Sequence, residues 1–228
     1  MKDKLVITID GPSGVGKSTV SKILADRLSY VYLDTGGLYR AVAFKLLAAK
    51  ITTTDEKTLE AFLRKVTIDF RKHGADIRIF VDGEDVSDSI RTEEIGLTAS
   101  TVSALPVVRE ALLSVQRSVG AGGGIVAEGR DMGTVVFPNA DVKFFLDASS
   151  NERVKRRYNE LRDRGDVVDY SELAEGMAVR DNQDRHRALS PLHAHPDALI
   201  IDCTDMSANE VVDKMMIVVD ERRRLPDG

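Results

Sequence analysis

The sequence has no tryptophan, one cysteine, four histidines and only 5% aromatic residues. The lone cysteine, Cys203, rules out an internal disulfide and fits a reducing compartment. It follows the apolar stretch Leu199–Ile201 and reads as a small buried hydrophobe. A zinc site is poorly provided for: no cysteine or third histidine supports His193 and His195, which sit in a proline-flanked stretch and read as plain loop. No apolar run is long enough for a membrane span. The first, Leu5 to Ile9, is also too short for a signal peptide, so the expected compartment is the cytoplasm, with no membrane partner. Positive charge is not in excess either. Against 32 Lys and Arg stand 37 Asp and Glu, a net charge of −5, which argues against a nucleic-acid partner. There is no internal repeat, low-complexity tract or long linker.

What remains is an ordinary globular composition, 43% hydrophobic and 30% charged over 228 residues, enough for one large domain or a domain with an insert. Leu5 to Ile9 reads as a buried parallel strand ending at Asp10. A helix follows with Val20, Ile23, Leu24 and Leu28 on one face, joined by a single polar member, Arg27. Tyr30 to Leu33 is a second strand. After the turn Asp34-Thr35-Gly36-Gly37 comes a helix with Tyr39, Val42, Ala43, Leu46 and Leu47 on its apolar face. Alternating strands and helices imply an α/β fold with a parallel sheet. The period then changes to two: Val66, Ile68, Phe70, then Ile77, Ile79, Val81, with Lys72-His73-Gly74 between them and Asp82-Gly83 as a tight-turn signal before Val86. Three antiparallel strands are expected here, as an inserted subdomain over residues 62–101. The α/β pattern resumes with a helix near Pro106, strands at 125–127, 142–146 and 199–201, and a helix over about 208–224 whose end, Arg222 to Arg224, reads as solvated. The stretch 151–187 balances nine Lys and Arg with nine Asp and Glu and reads as mobile, solvated helices.

Gly11-Pro12-Ser13-Gly14-Val15-Gly16-Lys17-Ser18 satisfies G-x-x-x-x-G-K-[ST] in the required context, after a strand and opening a helix. Glycines let the backbone curl so that N–H groups face phosphate oxygens, and the helix N-terminus adds partial positive charge. Lysine at the seventh position reaches the terminal phosphates, and the following hydroxyl binds Mg²⁺. Lys17 and Ser18 therefore take those roles, and ATP with Mg²⁺ is the expected donor. The motif establishes nucleotide binding without naming the reaction. A guanine-reading Asn-Lys-x-Asp is absent, since no asparagine is followed by lysine, and Ile125-Val126-Ala127-Glu128 matches a motor ATPase strand only loosely. Arginines fall instead after strands: Arg40 and Arg130, with Arg180, Arg185 and Arg187 clustered late. Fixed guanidinium groups at strand ends suit an anionic acceptor and a transferring phosphoryl group.

At these residues the chain resembles the bacterial cytidylate kinases, a branch of the nucleoside monophosphate kinases. The resemblance spreads over nearly the whole length. It is carried by Gly11 to Thr19, Asp34-Thr35-Gly36-Gly37-Leu38-Tyr39-Arg40, Gly83 to Ser87 with Ile90-Arg91-Thr92, Gly129-Arg130-Asp131-Met132-Gly133-Thr134-Val135-Val136-Phe137-Pro138, and Arg180 to Arg187. The first motif is widespread; the Gly129–Pro138 block is far more particular to the family. Many members of the family carry Asp at the place of Glu128 and Ser at the place of Thr35, and both exchanges keep the chemical group.

The resemblance implies a single P-loop kinase domain over 1–228, with a five-stranded parallel sheet core, a three-stranded antiparallel monophosphate-binding subdomain at 62–101 and a helical lid at 151–187. It implies phosphorylation of CMP, and of dCMP, by ATP. Ser100, Arg109 and Asp131 would contact the base, Arg180 and Asp184 the ribose, and Thr35, Arg40, Arg130 and Arg187 the acceptor phosphate. Arg156 and Arg157 would approach the ATP phosphates held by Gly11, Pro12, Ser13, Gly14, Val15, Gly16, Lys17, Ser18 and Thr19. Lys17, Arg130 and Arg187 are the expected catalytic groups. A phosphate monoester is already anionic at neutral pH, so no strong general base is needed. Three readings stay open beside this one. The scaffold suits a uridylate- or adenylate-directed kinase, or a regulator that hydrolyses ATP slowly, and Asp131 pairs with Arg130 or caps a turn if it does not read the base. Monomer is the default state.

Overall fold

The computed structural model describes residues 4–51, 56–73 and 76–224. In chain order the elements are β1 (Val6–Asp10), α1 (Lys17–Leu28), β2 (Val31–Asp34), α2 (Thr35–Ala48), α3 (Glu56–Leu63), β3 (Ile68–His73), β4 (Asp76–Val81), β5 (Glu84–Asp85), α4 (Glu93–Val102), α5 (Pro106–Gly120), β6 (Ile125–Gly129), a π-helical turn (Met132–Val136), β7 (Val142–Asp147), α6 (Ser150–Asp163), α7 (Tyr170–His186), β8 (Leu199–Asp202) and α8 (Ala208–Arg224). No described helix is long and apolar enough to cross a membrane.

Five strands form a parallel sheet in the order β2-β6-β1-β7-β8. β6 and β7 lie on opposite sides of β1, and the chain crosses β1 between them, so a crevice opens at the carboxyl end of β1, where ligands bind in open α/β sheets. Alternation along β1 sends Leu5, Ile7 and Ile9 into one apolar layer, with Val20, Leu24 and Leu28 of α1 and Val211, Val212, Met215 and Val219 of α8. Val6 packs in the opposite layer, with Leu33, Ile125, Met132, Val136 and Leu113. Arg27, the polar member of the α1 face, lies at its edge and pairs with Asp213 of α8 at 2.5 Å. Arg223, expected to be solvated, donates instead to the Tyr30 hydroxyl at 3.2 Å and lies over its ring.

The second sheet is antiparallel, β3-β4-β5. Its turn at Asp82-Gly83 has both residues at positive φ, the two-residue geometry the sequence signals. The turn expected near Gly74 lies outside the described residues. Ile79 and Val81 of β4 share a core with Leu38, Val42 and Leu46 of α2, with Ile95 and Ala99 of α4 and with Val108 and Leu112 of α5. Helices α3 and α4 are additions to the expected elements, although Leu59, Phe62 and Leu63 of α3 stand at helical spacing. The expected turn after β2 is absent: Asp34 caps α2 directly by accepting from the Gly37 N–H at 3.0 Å. The 151–187 stretch does form helices, but not wholly solvated ones, because Arg153, Val154, Leu161, Met177, Asp181 and Asp184 are buried.

Gly120 closes α5 against β6. A Cβ there would meet the Phe137 ring at 2.4 Å and Ile125 Cδ1 at 2.9 Å. Alanine gains up to about 1 kcal/mol of helix propensity over glycine, whereas overpacking costs about 1–3 kcal/mol. Gly120→Ala is therefore expected to lower unfolding free energy in urea by about 1 kcal/mol. Gly96→Ala, in α4 with nothing within 4 Å of the added carbon, is expected to raise it by about 0.5–1 kcal/mol.

Candidate active site

The glycine-rich loop between β1 and α1 borders a cavity of about 1000 Å³ at the carboxyl ends of the parallel strands. Gly16 stands at the N-cap of α1 with φ 97°, and no side chain caps that helix. Its first N–H groups are left for a ligand or for water. Lys17 is buried, and its Nζ donates to the carbonyls of Gly11 at 2.8 Å and Pro12 at 2.7 Å. Ser13, Gly14, Val15, Gly16, Lys17, Ser18 and Thr19 line the cavity. Gly11 and Pro12 do not; they hold the lysine.

The protein is acidic, yet the cavity is not. Eleven basic side chains against seven acidic ones line it. Burial, with Arg130 close by, draws the Lys17 pKa down to about 7 although Glu128 and Asp10 pull the other way. Burial likewise pushes the Asp10 carboxyl up to about 6, against the hydrogen bonds it accepts from the Met132 and Gly133 N–H groups, each at 2.8 Å.

Strand register builds the floor. β2 and β6 put Asp34 level with Glu128, and β6 and β1 put Gly129 level with Asp10. Burial, and then Asp34, raise the Glu128 pKa. Its carboxyl accepts from the Tyr32 hydroxyl and hydrogen-bonds with the Ser18 side chain. Burial and Glu128 hold the Tyr32 phenol well above its ordinary pKa. The Thr35 hydroxyl donates to the Glu128 carbonyl at 2.7 Å. Arg40, one turn into α2, pairs with Asp34 at 2.5 Å.

One end of the cavity is an arginine–aspartate lattice. Asp131, 2% exposed, accepts from Arg109 and lies 3.8 Å from Arg187. Arg130 turns away from its neighbour Asp131 and donates to Asp184 at 2.7 Å. Arg187 stands between the two carboxylates, 3.9 Å from Asp184, and donates to the Ser190 carbonyl at 2.7 Å. Burial works to raise the Asp184 pKa, but Arg130, Arg180 and Arg187 outweigh it and hold the carboxyl below the ordinary range. Arg109 donates to the Ser103 carbonyl at 3.0 Å and lies 5.7 Å over the Tyr39 ring. The Ser100 hydroxyl, in the same wall, is buried with no hydrogen-bond partner.

The opposite end is built from α6 and the 203–208 loop. Arg156 pairs with Glu152 at 3.0 Å and donates to the carbonyls of Cys203 at 2.7 Å and Thr204 at 3.1 Å. Arg157 pairs with Glu160 at 2.9 Å. Cys203 is buried as expected, and it also lines this end of the cavity. His193 and His195 stay in their loop, at the Pro191 carbonyl and the Asp197 N–H, at 3.0 and 3.1 Å.

The structure thus brings Thr35, Arg40, Ser100, Arg109, Arg130, Asp131, Arg156, Arg157, Arg180, Asp184 and Arg187 to the same cavity as the loop. Tyr32, Asp34 and Glu128 line it as well, and Asp10 lies beneath. Sequence reasoning passed over these four as site residues. Their only signal is that three of them close apolar strands.

The sequence model of the family described as Cytidylate kinase matches residues 7–221. The chain is 48% identical over 228 residues to the cytidylate kinase of Syntrophotalea carbinolica, covering 100% of this chain and 97% of that one. It is 49% identical to the cytidylate kinase of Geobacter sp. (strain M21), covering 96% and 94%. Among solved structures it is similar to a gluconokinase from Sinorhizobium meliloti, with a TM-score of 0.50 at 13% identity over 97% of this chain and 94% of that one, a likeness of fold alone.

Because burial and Arg130 draw its pKa down to about 7, Lys17 is mostly a neutral amine at pH 8. A polyphosphate anion beside it favours the charged form. Binding of tripolyphosphate should therefore draw about one proton per site into Lys17 at pH 8 and almost none at pH 5.5, read as the difference between the parent and Lys17→Met. Calorimetry in buffers of different ionisation heat measures the uptake. Lys17→Met should take up about one proton fewer at pH 8, and equal uptake would rule Lys17 out as its source.

Proposed function

The chain belongs to the cytidylate kinase family, and on that premise we propose that it transfers the γ-phosphoryl group of ATP to CMP and dCMP, giving the diphosphates. In this reading the loop from Gly11 to Thr19, with Arg156 and Arg157, takes ATP. Ser100, Arg109 and Asp131 read the base, Arg180 and Asp184 hold the ribose, and Thr35, Arg40, Arg130 and Arg187 hold the acceptor phosphate. Lys17 neutralises charge on the donor side of the transferring group, and Arg130 and Arg187 on the acceptor side.

The observation that carries the base assignment is the buried Asp131–Arg109 pair in one cavity wall with the unpartnered Ser100 hydroxyl. Cytosine presents an amino donor beside a ring-nitrogen acceptor and a carbonyl acceptor. A carboxylate suits the donor, and a guanidinium or hydroxyl suits the acceptors. Uracil would set a carbonyl against the Asp131 carboxylate.

The residues present fit Mg²⁺. The Ser18 hydroxyl meets the Glu128 carboxyl, and Asp34 lies level with it, so a hard oxygen donor set flanks the loop. Among the described residues no three His, Cys, Asp or Glu side chains form a metal cage, and Mg²⁺ bound through phosphates and one or two protein oxygens needs none. When bound, the ion supplies charge neutralisation at the phosphates. No residue must act as a strong base, because the acceptor oxygen is already anionic. The chain's own work is to align the two nucleotides and to exclude water. The insert at 62–101 closes over the acceptor and the helices of 151–187 over the donor.

A panel of nucleoside monophosphates incubated with ATP and Mg²⁺ tests the reading. CMP and dCMP should turn over at least about tenfold faster than UMP or AMP. A UMP- or AMP-led panel would make the chain a different monophosphate kinase, and a panel without acceptor-dependent turnover would make it a regulator. Asp131→Ala should lower kcat/KM for CMP by about tenfold or more and narrow the lead over UMP, with the KM for ATP unchanged. A full CMP/UMP ratio in that variant would remove Asp131 as the base reader.

A further inference from the structure

Two charged residues that the functional reading leaves unused are among the most enclosed in the molecule. Arg153, near the start of α6, is 5% exposed, and Asp181, near the end of α7, is 9% exposed. They pair at 2.5 Å beside Ser13 of the phosphate-binding loop. Arg153 Nη1 also donates to the Ser13 carbonyl at 3.0 Å, and the Ser13 N–H donates to Asp181 Oδ1 at 3.4 Å. The rest of the guanidinium is occupied: Nε donates to the Ala148 carbonyl at 3.1 Å and Nη2 to the Ser150 hydroxyl at 3.2 Å.

We propose that Arg153 and Asp181 are positioning residues that clamp both polar groups of Ser13 and so aim the loop at the donor's phosphates. The inference rests on the reading of that loop as the ATP site. A trans peptide sends its C=O and the next N–H in opposite directions. With the Ser13 carbonyl tied outward to Arg153, the Gly14 N–H turns the other way, and Gly14 lines the cavity. The preceding peptide obeys the same rule: its carbonyl, on Pro12, is taken by Lys17, and its N–H, on Ser13, by Asp181. The Ser13 N–H is thus spent on the protein, while the Gly14 N–H is turned away from the clamped carbonyl. Gly14 itself, at φ +73°, has room for no Cβ: one would lie 2.7 Å from the Arg153 carbonyl and 2.7 Å from Met177 Cε. Helices α6 and α7 therefore bracket the loop directly. Since a buried ion pair adds little net stability by itself, its hydrogen bonds to a loop peptide are the informative part.

The clamp also fixes which part of 151–187 is able to close. The base, near Arg153, Met177 and Asp181, is bound to the loop, and closure belongs to the outer tip, where Val167 is fully exposed.

Arg153→Lys keeps the charge but loses the planar fork that serves all these acceptors; Asp181→Asn keeps the shape and loses the charge. Each is expected to raise the KM for ATP about tenfold and leave the KM for CMP within about twofold. Amide exchange over 11–16 should quicken about tenfold, with β1 unchanged. Asp163→Asn, on the exposed end of α6, should change none of these. A pair that only stabilises the fold would lower the unfolding temperature and leave both KM values alone, and that result overturns the proposal. Should Arg153→Lys fail to fold, Asp181→Asn decides by the same measurements. In the parent protein without nucleotide the Ser13 amide should exchange slowly, and exchange at the rate of an open loop overturns the clamp whatever the variants do. A parent that does not phosphorylate CMP ends the functional reading, while ATP affinity by calorimetry and the exchange data still judge the clamp.

Discussion

Eleven basic side chains against seven acidic ones line the cavity, and this protein has to fold around that surplus of positive charge. Buried cations without anions are strongly disfavoured. The structure meets that constraint with three local devices. Lys17 is drawn toward neutrality and held by two loop carbonyls. Arg109, Arg130 and Arg187 are held by Asp131 and Asp184. Arg156 is spread over the carbonyls of the 203–206 loop. Each partner keeps a cation in place at the cavity wall.

The arginine–aspartate lattice follows from this. Two carboxylates serve Arg109, Arg130 and Arg187, and Arg180 acts on Asp184 as well, so positive charge stays in excess there, which suits the proposed acceptor phosphate. Because Arg187 lies between Asp131 and Asp184, the proposed base and ribose contacts are coupled through one side chain. The two ends of the cavity meet at the loop, whose shape depends on helices from one side and on strand register from the other.

Much of this was legible in the chain. A complete phosphate-loop motif between an apolar strand and an apolar-faced helix is a local pattern, and local backbone geometry decides its conformation. The change of apolar period from helical to alternate at 66–86 gave the small antiparallel sheet, and Asp82-Gly83 gave its turn. The helices α3 and α4 escaped because they are short, eight and ten residues, and show only two or three turns of apolar period before α3 packs on α5 and α4 on α2. The charged stretch 151–187 was misjudged as solvated for a related reason. Nine charges of each sign balance equally well in water and in buried pairs, and only the packing of α6 and α7 on the loop buries Arg153, Asp181 and Asp184.

By itself the sequence determined what depends on neighbours along the chain: the order of strands and helices, the phosphate loop, the tight turn and the residue types suited to phosphate. Its likeness to a family carries the proposed acceptor. Tertiary structure alone decided pairing. Nothing in the spacing says that Asp131 takes Arg109 while Arg130 takes Asp184, that Glu128 stands level with Asp34, or that Arg153 meets Ser13 from 140 residues away. Ion pairs and hydrogen bonds act over a few ångströms of space, and the fold, not the chain order, sets which groups come that close.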